Sequence, residues 1–250
     1  MTNKFSYRAM QSQILVNHIK PLLEHSGFLL CEYGYENVID RSIREKLNFD
    51  SFKFRDFTGE FINPAAMMVR YAPDFFAVHS SVDPKDPTKG IFFIEFKLTL
   101  TPIYRMDSWH KKTGYKYPSI TPCDIGDIER EAWDVYHQLY PQNQVCLIVG
   151  SSYHPRLLVA DWISKIKELF RDDRIRNPNA SGSTTPHVNI DLGSMRTLKE
   201  FLEKEFQIEV DSLRYNKILQ VIKELGIKRW RGITEEEYKK FVGYIKRGCR

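Results

Sequence analysis

The sequence predicts an α/β fold, on the basis of three features in the middle of the chain. Two runs rich in aromatic and β-branched residues, Phe75–His79 and 91–97, flank a linker at 80–90 that contains two prolines and a glycine. That pattern is typical of a β-hairpin. An amphipathic segment at 125–140 predicts a helix, and the apolar run 144–151 predicts a buried strand. The resulting order of strand, strand, helix and strand indicates an α/β core.

Three elements are expected before the hairpin. Residues 8–25 carry apolar side chains at helical spacing, which predicts an amphipathic helix bent by Pro21. Residues 37–47 have apolar side chains four positions apart and predict a second helix. Residues 51–62 alternate phenylalanines with charges, as a strand does.

After the hairpin, Asp124 is a candidate N-cap for the helix at 125–140. We divide the chain into a core at 1–152 and a helical, basic C-terminal region at 153–250, either a separate module or an extension packed on the core. The elements expected there are a helix at 161–170, a polar loop or linker at 171–186, a short strand at 187–192, and helices at 195–206, 211–225 and 234–247.

Composition excludes several classes of protein. The chain has 250 residues, 42% of them hydrophobic, which is enough to bury a sizeable core. No apolar run has the length of a membrane span, and the amino terminus lacks the apolar segment of a secretory signal, so we expect a cytoplasmic protein without membrane contact. Four scattered cysteines indicate neither a zinc site nor a disulfide framework. Glycine-rich phosphate loops are absent, so no nucleotide cofactor is expected.

Positive charge is concentrated at the carboxyl end. Residues 212–250 hold 11 Lys or Arg and 4 Glu, a balance of +7, so the first 211 residues total 5 − 7 = −2. Aromatic residues are interleaved with these charges. Such a segment suits a nucleic-acid phosphate backbone, and the alternative interpretation is a solvated helical face.

The residues with the clearest chemical character are at the ends of the hairpin strands. Asp74 directly precedes the first strand, and Glu95 and Lys97 lie two positions apart on one face of the second. Two carboxylates and an ammonium can therefore converge, and oxygen ligands suit Mg²⁺. The alternative is that Glu95 and Lys97 are solvated polar residues on an otherwise apolar strand.

Pro73-Asp74 followed by Glu95-x-Lys97 resembles the motif of the PD-(D/E)xK nuclease superfamily. The resemblance implies a restriction-endonuclease-like core, a mixed central sheet flanked by helices, that cleaves DNA with Mg²⁺. It further implies that Asp74 and Glu95 bind the metal, helped by the Phe96 backbone carbonyl, and that Lys97 positions or activates the water.

The superfamily commonly adds one acidic residue from an upstream helix. Glu36 is our candidate because it shares a face with the apolar residues of the 37–47 helix, with Glu45 and Glu60 as alternatives. Glu36 is also explained by the helix dipole alone. His79 is a possible general base, although we expect a histidine in a surface turn.

Among members of this superfamily, the chain is most like a type II restriction endonuclease, which would act as a homodimer on double-stranded DNA. A Holliday-junction-resolving or other structure-specific nuclease is the alternative, and a non-catalytic DNA-binding module on the same fold is a third hypothesis. The long aperiodic segment 99–123 and the basic tail supply the expected DNA contacts, namely Arg105, Trp109, Lys111, Lys112, Lys116, Lys228, Arg229 and Arg231.

Overall fold

The computed structural model describes residues 19–34, 55–79, 90–99, 125–151, 158–172 and 186–208, with single positions at 220, 224, 236, 239, 240 and 243. In this part of the chain the fold is mixed α/β, as predicted. The helices are α1 (Lys20–His25), α2 (Pro64–Arg70), α3 (Arg130–Gln138) and α4 (Leu198–Phe206). The strands are β1 (Phe28–Glu32), β2 (Phe75–His79), β3 (Ile91–Thr99), β4 (Ile125–Glu129), β5 (Val145–Ser151), β6 (Leu158–Trp162), β7 (Glu168–Asp172), β8 (His187–Asp191) and β9 (Arg196–Thr197).

The described strands form two sheets. The central sheet has the order β1-β2-β3-β5-β6-β9, in which β3 and β5 are parallel and every other neighbouring pair is antiparallel. A smaller antiparallel sheet has the order β4-β8-β7. The β2–β3 hairpin and the buried strand β5 are therefore confirmed.

Both faces of the central sheet are covered by hydrophobic clusters. On one face, Phe92, Ile94 and Phe96 of β3 pack with side chains of α1 and α4. On the other face, Leu147 and Val149 of β5 pack with α3 and the smaller sheet. Because β3 and β5 are interior strands covered on both faces, most of their side chains are buried, and a buried charge on them needs a partner.

Several sequence predictions require correction. The helix expected at 125–140 begins only at Arg130, because 125–129 form β4 and pair with β8. The helix expected at 161–170 is wrong, since β6 ends at Trp162, a short 3₁₀ turn follows, and β7 begins at Glu168. Every residue of β6 is buried, including Asp161, whose charge is balanced by Arg196 at 2.6 Å, and this buried acid hid the strand pattern.

The strand expected at 51–62 is interrupted in its described part, where Arg55 and Phe61 form a single bridge across a turn. Helix α2 has no counterpart in the sequence prediction; Asn63 caps it by accepting a hydrogen bond from the Ala66 N–H.

The prediction that His79 lies in a surface turn is wrong. His79 is 5% exposed, its ring packs against Phe28 with centroids 4.6 Å apart, and its Nε2 lies 3.2 Å from the Ser26 carbonyl.

The polar loop expected from residue 171 is wrong at 171–172, which belong to β7, and the other predictions agree with the described residues or lie outside them. The strand at 187–192 is confirmed as β8, and the helix at 195–206 is confirmed as α4, although it begins only at Leu198 because 196–197 form β9. The single described positions from 220 to 243 are helical. The helix at 37–47, most of that at 8–25, and the loop at 99–123 beyond residue 99 lie outside the described residues, and the division of the chain at residue 152 stays a prediction. No described helix is long and apolar enough to cross a bilayer.

Candidate active site

Asp74 is held at the end of the β2–β3 hairpin by hydrogen bonds to both neighbouring strands. Its backbone carbonyl accepts the Tyr33 N–H at 2.9 Å, just past β1. Its side-chain Oδ2 accepts the N–H of Phe96 at 2.8 Å. The last β2–β3 pair is Phe75 with Ile94, so Asp74 lies one step beyond the ladder. The carboxylate is therefore fixed beside the residue that separates Glu95 from Lys97.

Glu95 and Lys97 project from β3 on the face that packs against α3. Glu95 is 5% exposed, and its Oε1 lies 2.5 Å from the Lys97 Nζ. The Lys97 side chain is one-third exposed and so opens toward solvent. Their neighbours on β5 are Leu147 and Val149, which are apolar. The ion pair is thus the polar end of an otherwise hydrophobic face.

Tyr136 of α3 reaches the same carboxylate. Its hydroxyl is hydrogen-bonded to the Glu95 side chain, and the residue is 4% exposed. Burial raises the pKa of Tyr136 well above its usual value, and the charges of Glu95 and Asp74 raise it further. The hydroxyl therefore stays protonated and acts as a neutral donor.

Glu129, the last residue of β4, adds a third acid near Lys97. The Tyr71 hydroxyl donates to Glu129 Oε1 at 3.2 Å, and Arg70 is hydrogen-bonded to the Tyr71 hydroxyl. Burial and the Glu129 charge raise the pKa of Tyr71 above its usual range, so this hydroxyl also stays protonated. Glu129 brings the smaller sheet into the electrostatics of the site.

The surrounding acids determine the charge of Lys97. Burial favours the neutral amine, but the carboxylates of Glu95, Asp74 and Glu129 outweigh it and raise the pKa of Lys97 above its usual value. Lys97 is therefore an ammonium throughout the physiological range. It can donate hydrogen bonds to a phosphate or a water, and it has no vacant lone pair with which to accept a proton.

Helix α3 is fixed from the side opposite Tyr136. Asp134, two residues earlier, is buried and accepts Arg55 Nη2 at 2.7 Å and Arg171 Nη1 at 3.1 Å. Arg55 also binds Glu131 of the same helix at 3.0 Å. The turn at 55–61 and strand β7 therefore anchor α3 on its side away from Tyr136.

The oxygen atoms of this site suit a hard cation that needs only one or two ligands from the protein. Among the described residues, no cluster of three or more acidic, histidine or cysteine side chains is placed to hold a metal ion. Asp74 and Glu95 provide two carboxylates, and Mg²⁺ is usually bound by one or two carboxylates, with water and substrate phosphate completing its shell. The Phe96 carbonyl points to the same side of β3 as its N–H, toward Asp74.

The residues predicted for the site are only partly covered by the described structure. Asp74 lies beside Phe96, and Glu95 pairs with Lys97, while the catalytic and metal-binding roles of these residues stay predictions. Glu60 lies in the exposed turn at 55–61, whereas Glu36 and Glu45 lie outside the described residues. The predicted DNA contacts also lie outside them, namely Arg105, Trp109, Lys111, Lys112, Lys116, Lys228, Arg229 and Arg231.

Sequence reasoning missed the roles of Glu129 and Tyr136. Glu129 was assigned to a helix, whereas it ends β4. Tyr136 lies within the amphipathic segment at 125–140, where periodicity alone gave its side chain no separate role. The available signal was its hydroxyl, because a buried tyrosine usually finds a hydrogen-bond partner.

Comparison with family models, with curated proteins and with solved structures finds no match. The class that the fold and site define is a mixed α/β protein with a buried acid and a lysine paired at the end of a hairpin. Any more specific assignment depends on the residues themselves.

Proposed function

We propose that this chain is a Mg²⁺-dependent endonuclease of the PD-(D/E)xK type that hydrolyses phosphodiester bonds in double-stranded DNA. One observation carries the proposal: the Asp74 carboxylate accepts the N–H of Phe96, the residue between Glu95 and Lys97. The three motif side chains thus meet at one end of the hairpin.

The strand arrangement supports the same proposal. The resemblance implies the order strand, hairpin strand, helix and strand, and the described chain follows it with β2, β3, α3 and β5. Strand β4 is an addition between β3 and α3. The parallel pairing of β3 with β5 places α3 over the face that carries Glu95 and Lys97.

Each residue has a definite role in this proposal. Bound Mg²⁺ supplies Lewis-acid polarisation of the phosphate and a bound water of lowered pKa. Asp74 and Glu95 provide the anionic oxygens that would hold it, with the Phe96 carbonyl as a further candidate. Lys97, held protonated, orients the attacking water or donates to the phosphate oxygens. The upstream acid is proposed to be Glu36.

The more specific proposal is a homodimeric type II restriction endonuclease. Its support is the aromatic and basic sequence of 99–123 and the +7 balance of 212–250, which offer base and phosphate contacts. A junction-resolving nuclease uses the same chemistry on a different substrate. One observation favours a non-catalytic DNA-binding module instead: Glu95 is held by both Lys97 and Tyr136, as in a structural ion pair.

Digestion of a supercoiled plasmid by the purified protein, with Mg²⁺ or with excess chelator, tests the proposal. Discrete fragments that require Mg²⁺ support a restriction enzyme, and a smear indicates a nuclease without sequence preference. A synthetic four-way junction tests for resolution in parallel. Binding of DNA without any cleavage would identify the non-catalytic module.

A further inference from the structure

The hydrogen bond between Tyr136 and Glu95 has a consequence beyond the motif residues. Tyr136 is on α3, whereas Glu95 is on β3, so the contact joins two elements through the buried side of the site. A carboxylate has about four lone-pair positions. Among the described residues, Lys97 and Tyr136 account for two of these positions, so a carboxylate has the capacity to bind a cation as well.

The two donors differ in charge. An ammonium next to Glu95 repels a divalent cation, whereas a hydroxyl adds no net charge. Lys97 also has a flexible stem and is one-third exposed, while Tyr136 is an almost fully buried ring on a helix held by two arginines. Tyr136 is therefore the fixed and electrically neutral contact of the Glu95 carboxylate.

We propose that Tyr136 is a positioning residue that holds the Glu95 carboxylate in the orientation required for Mg²⁺, while Lys97 serves the phosphate or the water. This inference rests on the proposed function for its substrate, but its metal-binding part can be measured without DNA. Partners that orient a metal-ligating side chain typically contribute 10- to 100-fold to metal affinity or activity.

The same helix offers a matched control. Tyr140 lies one turn after Tyr136, the two rings pack with centroids 5.9 Å apart, and both residues are buried. The Tyr140 hydroxyl has no hydrogen-bond partner within the part of the chain that the structure describes. Replacing either tyrosine by phenylalanine keeps the ring and removes one hydroxyl, yet only the first change removes a contact with Glu95.

The experiment measures Mg²⁺ binding to wild type, Tyr136→Phe and Tyr140→Phe by calorimetry, and the Mg²⁺ dependence of plasmid cleavage by each. We expect Tyr136→Phe to weaken Mg²⁺ binding about 10- to 100-fold, and its cleavage to recover at high Mg²⁺. Tyr140→Phe should match wild type. Urea denaturation of all three establishes that both variants are folded.

Two results would overturn the inference: Mg²⁺ affinity within twofold of wild type in folded Tyr136→Phe, or an equal loss in Tyr140→Phe. The first assigns the hydroxyl a purely structural role, and the second indicates a general effect of changing α3. If wild type binds Mg²⁺ but cuts no DNA, the proposed function fails while the calorimetric comparison still decides the role of Tyr136.

Discussion

Replacing Asp74 by Asn should abolish cleavage while leaving the fold intact, because the two functions of this side chain are separable. Its Oδ2 accepts the Phe96 N–H at 2.8 Å, and an asparagine oxygen can accept the same bond. We therefore expect Asp74→Asn to cost less than about 1 kcal/mol of unfolding free energy. Asp74→Ala leaves that N–H without its acceptor and should cost about 1–3 kcal/mol.

The catalytic loss should be the same in both variants, since both remove the anionic ligand. A metal ion stabilises several kcal/mol of transition-state charge, so weakening its site by about 3–5 kcal/mol lowers the cleavage rate roughly 10²- to 10⁴-fold. The assay is plasmid cleavage under single-turnover conditions, with urea denaturation of each variant in parallel. Cleavage by folded Asp74→Asn within tenfold of wild type would refute the assignment. Equal stability of the Asn and Ala variants would refute the role of the hydrogen bond.

Three further predictions concern other parts of the molecule. Lys97→Ala should abolish cleavage but leave calorimetric Mg²⁺ affinity no weaker than in wild type; a large loss of affinity would make Lys97 part of the metal site. Arg196→Met should cost roughly 3 kcal/mol of unfolding free energy, because it leaves Asp161 buried without its charge partner. Arg171→Met should cost less, since buried Asp134 retains Arg55 and the other acid partner, Glu168, is one-third exposed; equal urea midpoints would argue against this difference. Removing 212–250 should flatten the salt dependence of DNA binding, by about 0.9 log–log slope units per lost phosphate contact, and an unchanged slope in a folded truncation would indicate a solvated face.

The hairpin was predictable because its information is local. Phe75–His79 and 91–97 are dense in aromatic and β-branched residues, and a short linker joins them. Strands β4 and β7 were missed because both pair with β8, and β4 lies about 60 residues from that partner in sequence. Strand β6 was missed because its buried aspartate is neutralised by an arginine that follows much later in the chain.

The placement of the three motif side chains was predictable to the same extent as the hairpin, whereas their catalytic and metal-binding roles stay predictions. Asp74, Glu95 and Lys97 converge through the β2–β3 pairing alone, which a spacing argument captures. Tyr136 reaches Glu95 only after β3 pairs with β5 and α3 packs across both strands. Glu129 approaches Lys97 only when the smaller sheet has formed. Such contacts depend on tertiary packing. The periodicity of apolar residues within one segment does not reveal them.

The ion pairs that anchor α3 also influence the position of the Tyr136 hydroxyl at Glu95. Asp134 and Tyr136 are on opposite sides of one helix, so a rotation of the helix that loosens the arginine contacts also moves the hydroxyl at Glu95. If the proposed metal site is correct, variants at Arg55 and Arg171 should show graded Mg²⁺ affinities while Asp74, Glu95 and Lys97 stay unaltered. Residues of an outer turn and an edge strand would then change the affinity of the proposed metal site without contacting it.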